Sequence, residues 1–437
     1  MTVAFVTLGC KVNQVDSDAL RQRMEAAGYD CVPPEAKPDV LVINSCAVTA
    51  ESERKTRQKL RRFRAMYRDC VLVLTGCAVQ VGNSINYPEA DIVLGHRDAD
   101  NLARYIDEFS LAKARVERVS PHHQDEAFGA SSHQSTERTR AHLKIEDGCD
   151  RSCAYCIIPH ARGPVRSMPL ERMRREIQSL DTHGFREIVL VGINLAAYGS
   201  DLGCDLGDAL VLFSEIENHS SIHRVRLGSL EPDLLSYEML EKISSSLYGS
   251  EIELCPHFHV SLQSGCDSVL KRMNRQYSPE EYFSTIKQLR AMLFPVAAVT
   301  TDVMVGFPGE SEAEFEASMA FARAVGFAKM HVFPFSSRPG TAAAAMPGQI
   351  SKAEKQERAK KMLALAQECH DDFLNSQIGS VLEVLPEEPH PAGGMRGYSA
   401  HYAPVRIADA RPAQQNQILS VRIEAVQDGY CVGVLSR

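Results

Sequence analysis

The chain has 437 residues, 44% hydrophobic and 24% charged, with a formal net charge of -8; this is too long for one ordinary core and calls for two or three domains. No run approaches the roughly eighteen apolar residues that span a bilayer, and the first residues pattern as a strand rather than a signal peptide, so no membrane and a cytoplasmic location are expected. Thirteen cysteines in a chain of this length fit a reducing compartment where thiols serve metals rather than disulfides.

Short apolar, β-rich runs open the chain: Val3 to Thr7, Val40 to Ile43, Val71 to Thr75 and Asp91 to Leu94, separated by helical stretches. That alternation predicts a doubly wound parallel sheet. Cys10, Cys46 and Cys77 fall two or three residues past the first three runs, in TLGC, INSC and LTGC. All three are therefore expected at the carboxyl edge of the sheet, where ligand sites form. Cys31, Cys70, Cys204, Cys255, Cys266, Cys369 and Cys431 read as buried hydrophobes. Three cysteines at equivalent places in successive βα units are harder to explain that way and predict a metal site. Gly9 and Gly76, each directly before a cysteine, would let the backbone wrap closely around it.

Between the second and third runs, Arg54 to Arg68 holds eight basic residues and no acidic one. Arg54, Arg57, Arg61, Arg64 and Arg68 stack on one helix face, while Leu60, Phe63 and Tyr67 form a stripe that can dock the helix on the sheet. Like charges at these spacings repel, so a phosphate-facing stripe is expected over a solvated face of mixed sign. An acidic chain needs such local concentration to bind RNA. The block ends near Leu111, giving an N-terminal domain of residues 1–115. Residues 116–140, rich in Ser, His and Gln, read as a linker.

From Ala141 strand and helix alternate again. The strands are His142 to Ile145, Glu187 to Val191, Arg224 to Leu227, His257 to Leu262, Thr300 to Val305 and Met330 to Phe333. Six such units predict an open, partial (βα)6 barrel over residues 141–375, with its site at the carboxyl strand ends. Directly after the first strand stand Cys149, Cys153 and Cys156, a CxxxCxxC spacing. Three thiolates on one loop can hold three irons of a 4Fe-4S cluster and leave the fourth open for chemistry. A zinc site is the alternative, with its fourth ligand from His142 or His160. Tyr155 would give the loop part of an apolar rim, or simply pack. Gly192, Asn194, Ser229, Glu231 and Gln263 lie beyond later strand ends and Asp302 within the fifth strand; they are candidates to hold a cofactor, or turn and capping residues. Arg162 and Arg166 stand close enough in sequence to the loop to touch substrate phosphate, whereas Arg172, Arg174 and Arg175 decorate a helix. Arg275 and Arg338 are further substrate candidates. After a helix from Lys352 to about Gln377, the runs VLEVL, PVRIA, ILSVRI and YCVGVL predict a small β-barrel over residues 376–437.

CxxxCxxC with an aromatic residue before its last cysteine resembles the signature of the radical S-adenosylmethionine (SAM) enzymes. Joined to TLGCKVNQ, VINSCAVT and LTGCAVQ, the run DGCDRSCAYCIIPHARGPVRS is similar to the methylthiotransferases of that group. GINLAAYG, SLEP and HVFPFSSRPGT most resemble the branch that modifies N6-threonylcarbamoyladenosine beside the tRNA anticodon. The resemblance implies two 4Fe-4S clusters, on Cys149, Cys153 and Cys156 and on Cys10, Cys46 and Cys77, with SAM as cofactor. It also implies a tRNA substrate, an electron donor such as flavodoxin or ferredoxin, a sulfur source, and a C-terminal TRAM domain. A radical made at the first cluster would remove hydrogen from C2 of the adenosine; the second cluster would deliver sulfur, methylated by a second SAM. A sibling acting on isopentenyladenosine or a ribosomal protein aspartate is the near alternative. An electron carrier or RNA-binding module is the distant one, since it needs neither the partial barrel nor two open irons.

Overall fold

Six parallel strands in the order β2-β1-β3-β4-β5-β6 make the N-terminal sheet. They are β1 (Thr2–Thr7), β2 (Asp30–Cys31), β3 (Val40–Ser45), β4 (Val71–Gly76), β5 (Ile92–Leu94) and β6 (Val116–Arg118). The helices α1 (Lys11–Ala26), α2 (Ala50–Met66), α3 (Cys77–Val81) and α4 (Leu102–Ala112) connect them. Alternate residues of the strands face two cores. Val40 and Val42 pack with Leu20 and Met24 of α1 and Ile106 of α4, whereas Leu41 and Ile43 pack with Leu60 and Phe63 of α2. The sheet is thus doubly wound, as its apolar runs predict. The chain leaves β1 toward β2 and returns to wind the other way from β3, so the strand order reverses between β1 and β3. Ligands of such sheets bind at the carboxyl side of that reversal.

This computed structural model describes residues 1–82, 87–123, 126–129, 139–216 and 220–436; of the predicted linker, residues 124, 125 and 130–138 lie outside the described residues. The chain divides into two units. One comprises Met1–Ser135, Glu146–Met168 and Ser336–Ala345, so the CxxxCxxC loop belongs with the N-terminal sheet. The other comprises Thr136–Ile145, Pro169–Phe335 and Met346–Arg437.

In the second unit the six predicted strands are present and parallel. The strand Arg224–Leu227 pairs with Glu187–Val191, and its continuation Ser229–Leu230 pairs with the strand His257–Val260. Gly228 makes the change of partner possible, since a Cβ there would lie 2.8 Å from the carbonyl of Leu190. Two four-stranded parallel sheets result, each taking one part of this chain segment, with helices such as Pro279–Met292 and Glu312–Val325 filling the connections. The helix Lys352–Asn375 then leads into a closed five-stranded barrel. Leu382, Val384, Met395, Val405, Ile407, Val421 and Cys431 form its core.

An ion cluster ties that barrel to the parallel strands of the same unit. Glu187 is fully buried and accepts from Arg224 Nε and Arg226 Nε at 2.7 Å each. The remaining nitrogens of the two arginines donate to the carbonyls of Glu383, Tyr398, Ser399 and Ala400 in the small barrel. Burial alone would raise the Glu187 carboxyl, but Arg226, Arg224 and Arg140 outweigh it and hold it far below the usual range.

Candidate functional site

Cys10 caps the start of α1, Cys46 follows β3 and Cys77 opens α3, so the three follow the carboxyl ends of adjacent strands β1, β3 and β4. The two glycines before cysteines are required there. Gly9 has φ +105, and a Cβ on it would stand 3.1 Å from Cys46 Sγ. Gly76 has φ +96, and a Cβ would meet Asn44 Oδ1 at 2.3 Å and the Ser45 carbonyl at 2.5 Å. Both conformations are costly for any residue with a side chain.

Asn13, one turn after Cys10, organises the pocket and was not singled out by the sequence. Its Nδ2 donates to the carbonyls of Leu8 at 2.8 Å and Ser45 at 2.9 Å, tying together the ends of β1 and β3. Its Oδ1 faces the thiols of Cys77 at 3.7 Å and Cys10 at 4.0 Å and accepts from Arg162 Nη2 at 2.6 Å. Burial pushes the Cys77 thiol up to about 12 and raises that of Cys46, with Arg162 opposing both. Buried thiols of this kind become ligands when a metal replaces their protons. The donor set is sulfur alone, which suits iron-sulfur chemistry. Among the described residues, the set whose ligand atoms all lie within 4.8 Å of one another is His223, Glu253 and Glu383.

The second sulfur set lies on a loop closed at its base by antiparallel pairing of Glu146 and Asp147 with Arg166 and Ser167. Gly148, at φ +89, passes so close to Pro164 that a Cβ would lie 1.9 Å from its carbonyl oxygen. The Cys149 amide donates to the Gly163 carbonyl, and the Arg151 amide reaches Cys149 Sγ at 3.4 Å. Cys149, Cys153, Cys156 and Tyr155 are all half-buried. The short helix α5 (Ile158–Arg162) follows directly. An open cavity of about 640 Å³ adjoins Cys149, lined also by Gln80, His122, His123, Arg151 and His160.

The basic residues divide. Arg54 and Arg61 on α2 are well exposed at 59% and 70%, although Glu51 and Glu89 pair with them. Arg57 and Arg64 are less exposed and pair with Glu53 and Asp91. Arg162 and Arg166, expected to reach substrate phosphate, are instead turned inward at 1% and 6% exposed. Arg338 is buried against Glu53 within the same unit.

In the second unit, Gly192 and Asn194 follow the strand Glu187–Val191, and Asn194 is buried. Ser229 begins the strand segment Ser229–Leu230, and Glu231 pairs with buried Arg275, whose Nε donates to Tyr277 Oη at 3.0 Å. Gln263 is held at φ +64 by hydrogen bonds from its amide to Asp302 O and from Met304 N to its carbonyl. Its buried Oε1 has no partner among the described residues. The positive φ and the unsatisfied Oε1 fall together at a strand end. Asp302 Oδ2 lies 3.5 Å from His259 Nε2, and His259 Nδ1 lies 3.0 Å from Thr300 Oγ1. These three share the polar face of the sheet, since the alternate residues Val299, Thr301 and Val303 are buried on the other. The contacts of Asn13 and His259 depend on partners distant in sequence; the three-residue step from Cys10 to Asn13 was the one local signal.

The description "Radical SAM superfamily" matches residues 143–322, and "Uncharacterized protein family UPF0004" matches residues 2–95. The chain is 38% identical over 391 residues to the threonylcarbamoyladenosine tRNA methylthiotransferase MtaB of Bacillus subtilis (strain 168), covering 89% of this chain and 85% of that protein. It is 33% identical to the protein of the same name from Thermotoga maritima, covering 98% and 95%. It is 30% identical to a tRNA-2-methylthio-N(6)-dimethylallyladenosine synthase of Pelotomaculum thermopropionicum, covering 99% and 97%. Among solved structures, the radical S-adenosylmethionine methyltransferase TsrM of Kitasatospora setae shares the fold at a TM-score of 0.56 and 14% identity, over 78% of this chain and 74% of that one. With relatives of that identity matched along nearly their whole length, and two sulfur sets at the positions described, the chain belongs to the radical SAM methylthiotransferase family.

Proposed function

We propose that the chain converts N6-threonylcarbamoyladenosine in tRNA to its 2-methylthio derivative. The observation that carries this reading is the pair of three-cysteine sets, each one ligand short of a closed cluster, in a chain whose similar relatives include proteins named for that reaction. Cys149, Cys153 and Cys156 would hold one 4Fe-4S cluster, and Cys10, Cys46 and Cys77 a second. When bound, these groups supply the electron that cleaves SAM to a 5'-deoxyadenosyl radical and the sulfur that enters at C2, which a second SAM methylates.

The protein's own groups bind and orient. Gly148 and the Cys149–Gly163 hydrogen bond fix the first loop, and the Arg151 amide offers a hydrogen bond to Cys149 sulfur. Glu231, paired with Arg275, and Asp302 are acceptors for the ammonium and ribose hydroxyls of SAM; Gln263 Oε1 is a further acceptor awaiting a donor. Gly192, Asn194 and Ser229 complete the strand-end set. Tyr155 shields the loop from water. The outward face of α2, through Arg54 and Arg61 above all, takes tRNA phosphate. The cavity beside Cys149 gives an electron donor of the flavodoxin or ferredoxin kind an approach to the loop. A sulfur source and a cytoplasmic setting follow from the chemistry; no helix among the described residues is long and apolar enough to cross a membrane.

Mass spectrometry of tRNA nucleosides from cells with and without the gene tests the reading. Loss of the methylthio form with accumulation of threonylcarbamoyladenosine is expected. An unchanged ratio with loss of methylthio-isopentenyladenosine would transfer the substrate to the alternative branch.

A further inference from the structure

Arg162 belongs by sequence to the loop that carries Cys149, Cys153 and Cys156, yet its side chain ends among the residues that organise the other sulfur set. It is 1% exposed and lies wholly within one unit. Nη1 donates to Asp147 Oδ1 at 2.9 Å and Oδ2 at 3.0 Å, and Nη2 donates to Asp16 Oδ2 at 2.9 Å and Asn13 Oδ1 at 2.6 Å. The same Asn13 oxygen faces the thiols of Cys77 and Cys10. Burying a guanidinium is expensive, and two carboxylates are committed to holding this one. Even so, its Nε is fully buried and has no hydrogen-bond partner among the described residues. A donor left open in this way bears the full desolvation cost of that N–H unless an acceptor arrives. Sulfur is the acceptor class that the neighbouring pocket gathers.

We propose that Arg162 is a positioning residue for the N-terminal sulfur set: its buried guanidinium supplies the positive charge and the free N–H against which a cluster on Cys10, Cys46 and Cys77 rests, and so sets that cluster's reduction potential. The proposal rests on the reading that these three cysteines hold a cluster. It also makes one side chain the physical link between the two sulfur sets. Arg162 is anchored on the first loop through Asp147 and reaches the second through Asn13, so a displacement of the first loop is felt electrostatically at the second.

The test uses the full chain with Cys149, Cys153 and Cys156 replaced by alanine, so that iron reports the N-terminal set alone. Iron and sulfide are counted after anaerobic reconstitution, and the potential is read by redox titration followed by electron paramagnetic resonance. Arg162→Gln removes a positive charge and should shift the potential negative, with iron held about 10–100-fold less tightly against a chelator, the usual range for a group that supports metal ligands. Arg162→Lys should restore most of the potential. Asp16→Asn keeps the guanidinium, removes a negative charge and should shift the potential positive. A packing role alone gives no such opposite signs. Unshifted potentials in loaded Arg162→Gln and Asp16→Asn proteins overturn the proposal; should Arg162→Gln fail to fold, Asp16→Asn decides alone. Absence of iron from the parent with Arg162 intact is a different result, which overturns the cluster reading and the proposal with it.

Discussion

Replacing Gly76 with alanine tests the cysteine pocket at its tightest point. The residue's φ of +96 costs an L-amino acid about 1–2 kcal/mol. The added Cβ would lie 2.3 Å from Asn44 Oδ1, 2.5 Å from Ser45 O and 2.6 Å from Ser45 N, two of them backbone atoms of β3 that cannot rotate away. Overpacking of this kind adds about 1–3 kcal/mol, so the full loss should be about 2–5 kcal/mol. Relief by moving Gly76 also moves Cys77, and iron retained by the N-terminal set should fall with stability. Gly28 is the built-in control, with φ +86 and nothing within 4 Å of an added methyl, so Gly28→Ala should show the conformational cost alone and keep its iron. Denaturant unfolding and iron analysis of both variants measure the contrast. Equal stability loss and equal iron in the two would refute the reasoning that a close approach, rather than dihedral preference, demands glycine at Gly76.

Glu187→Gln leaves the buried Arg224 and Arg226 without their carboxylate and should cost about 3–5 kcal/mol. Because folding depresses the Glu187 carboxyl, its contribution is present above the unfolded value near about 4.3 and is lost as pH falls below it. The difference between wild type and variant should therefore be full at neutral pH and shrink in acid; a difference that grows in acid would reverse the assignment. Charge removal at Arg54 and Arg61 together should weaken tRNA binding and lower the salt dependence of log K by about 2, and an unaltered slope would take α2 out of the interface. Cys153→Ala should abolish 5'-deoxyadenosine formation, while Cys46→Ala should lose one cluster's iron and stop sulfur insertion with some SAM cleavage remaining. Sulfur transfer surviving in Cys46→Ala would refute the division between the two sets.

The strand ends that position Cys10, Cys46 and Cys77 were legible because parallel strands buried on both faces read as continuous apolar runs. The strands of the second unit were legible from alternation instead, as in Arg224–Leu227, where Val225 and Leu227 alternate with arginines. The strand Met395–Ser399 was not: its inward positions are Met395, Gly397 and Ser399, two of them small, so no apolar alternation marks it, and close approach of Leu385 O explains Gly397. The strand Val116–Arg118 extends the N-terminal sheet into residues that read as linker, with Val116 alone buried in a three-residue run. Side-chain direction was the larger loss. Arg162 looks like any arginine near a cluster loop, and the acids that draw it inward, Asp16 and Asp147, lie on different elements. The stripe on α2 likewise reads as uncompensated until Glu89 and Asp91 arrive from the next βα unit.

The buried triangle of Glu187, Arg224 and Arg226 has a mechanical consequence. Both guanidinium groups end on carbonyl oxygens of the small barrel, so breaking that joint strands a carboxylate and two cations in a dry interior. Such a joint behaves as a weld and not as a hinge. A load taken by the small barrel is then passed to the parallel strands through buried charge, and the two cannot part without exposing it.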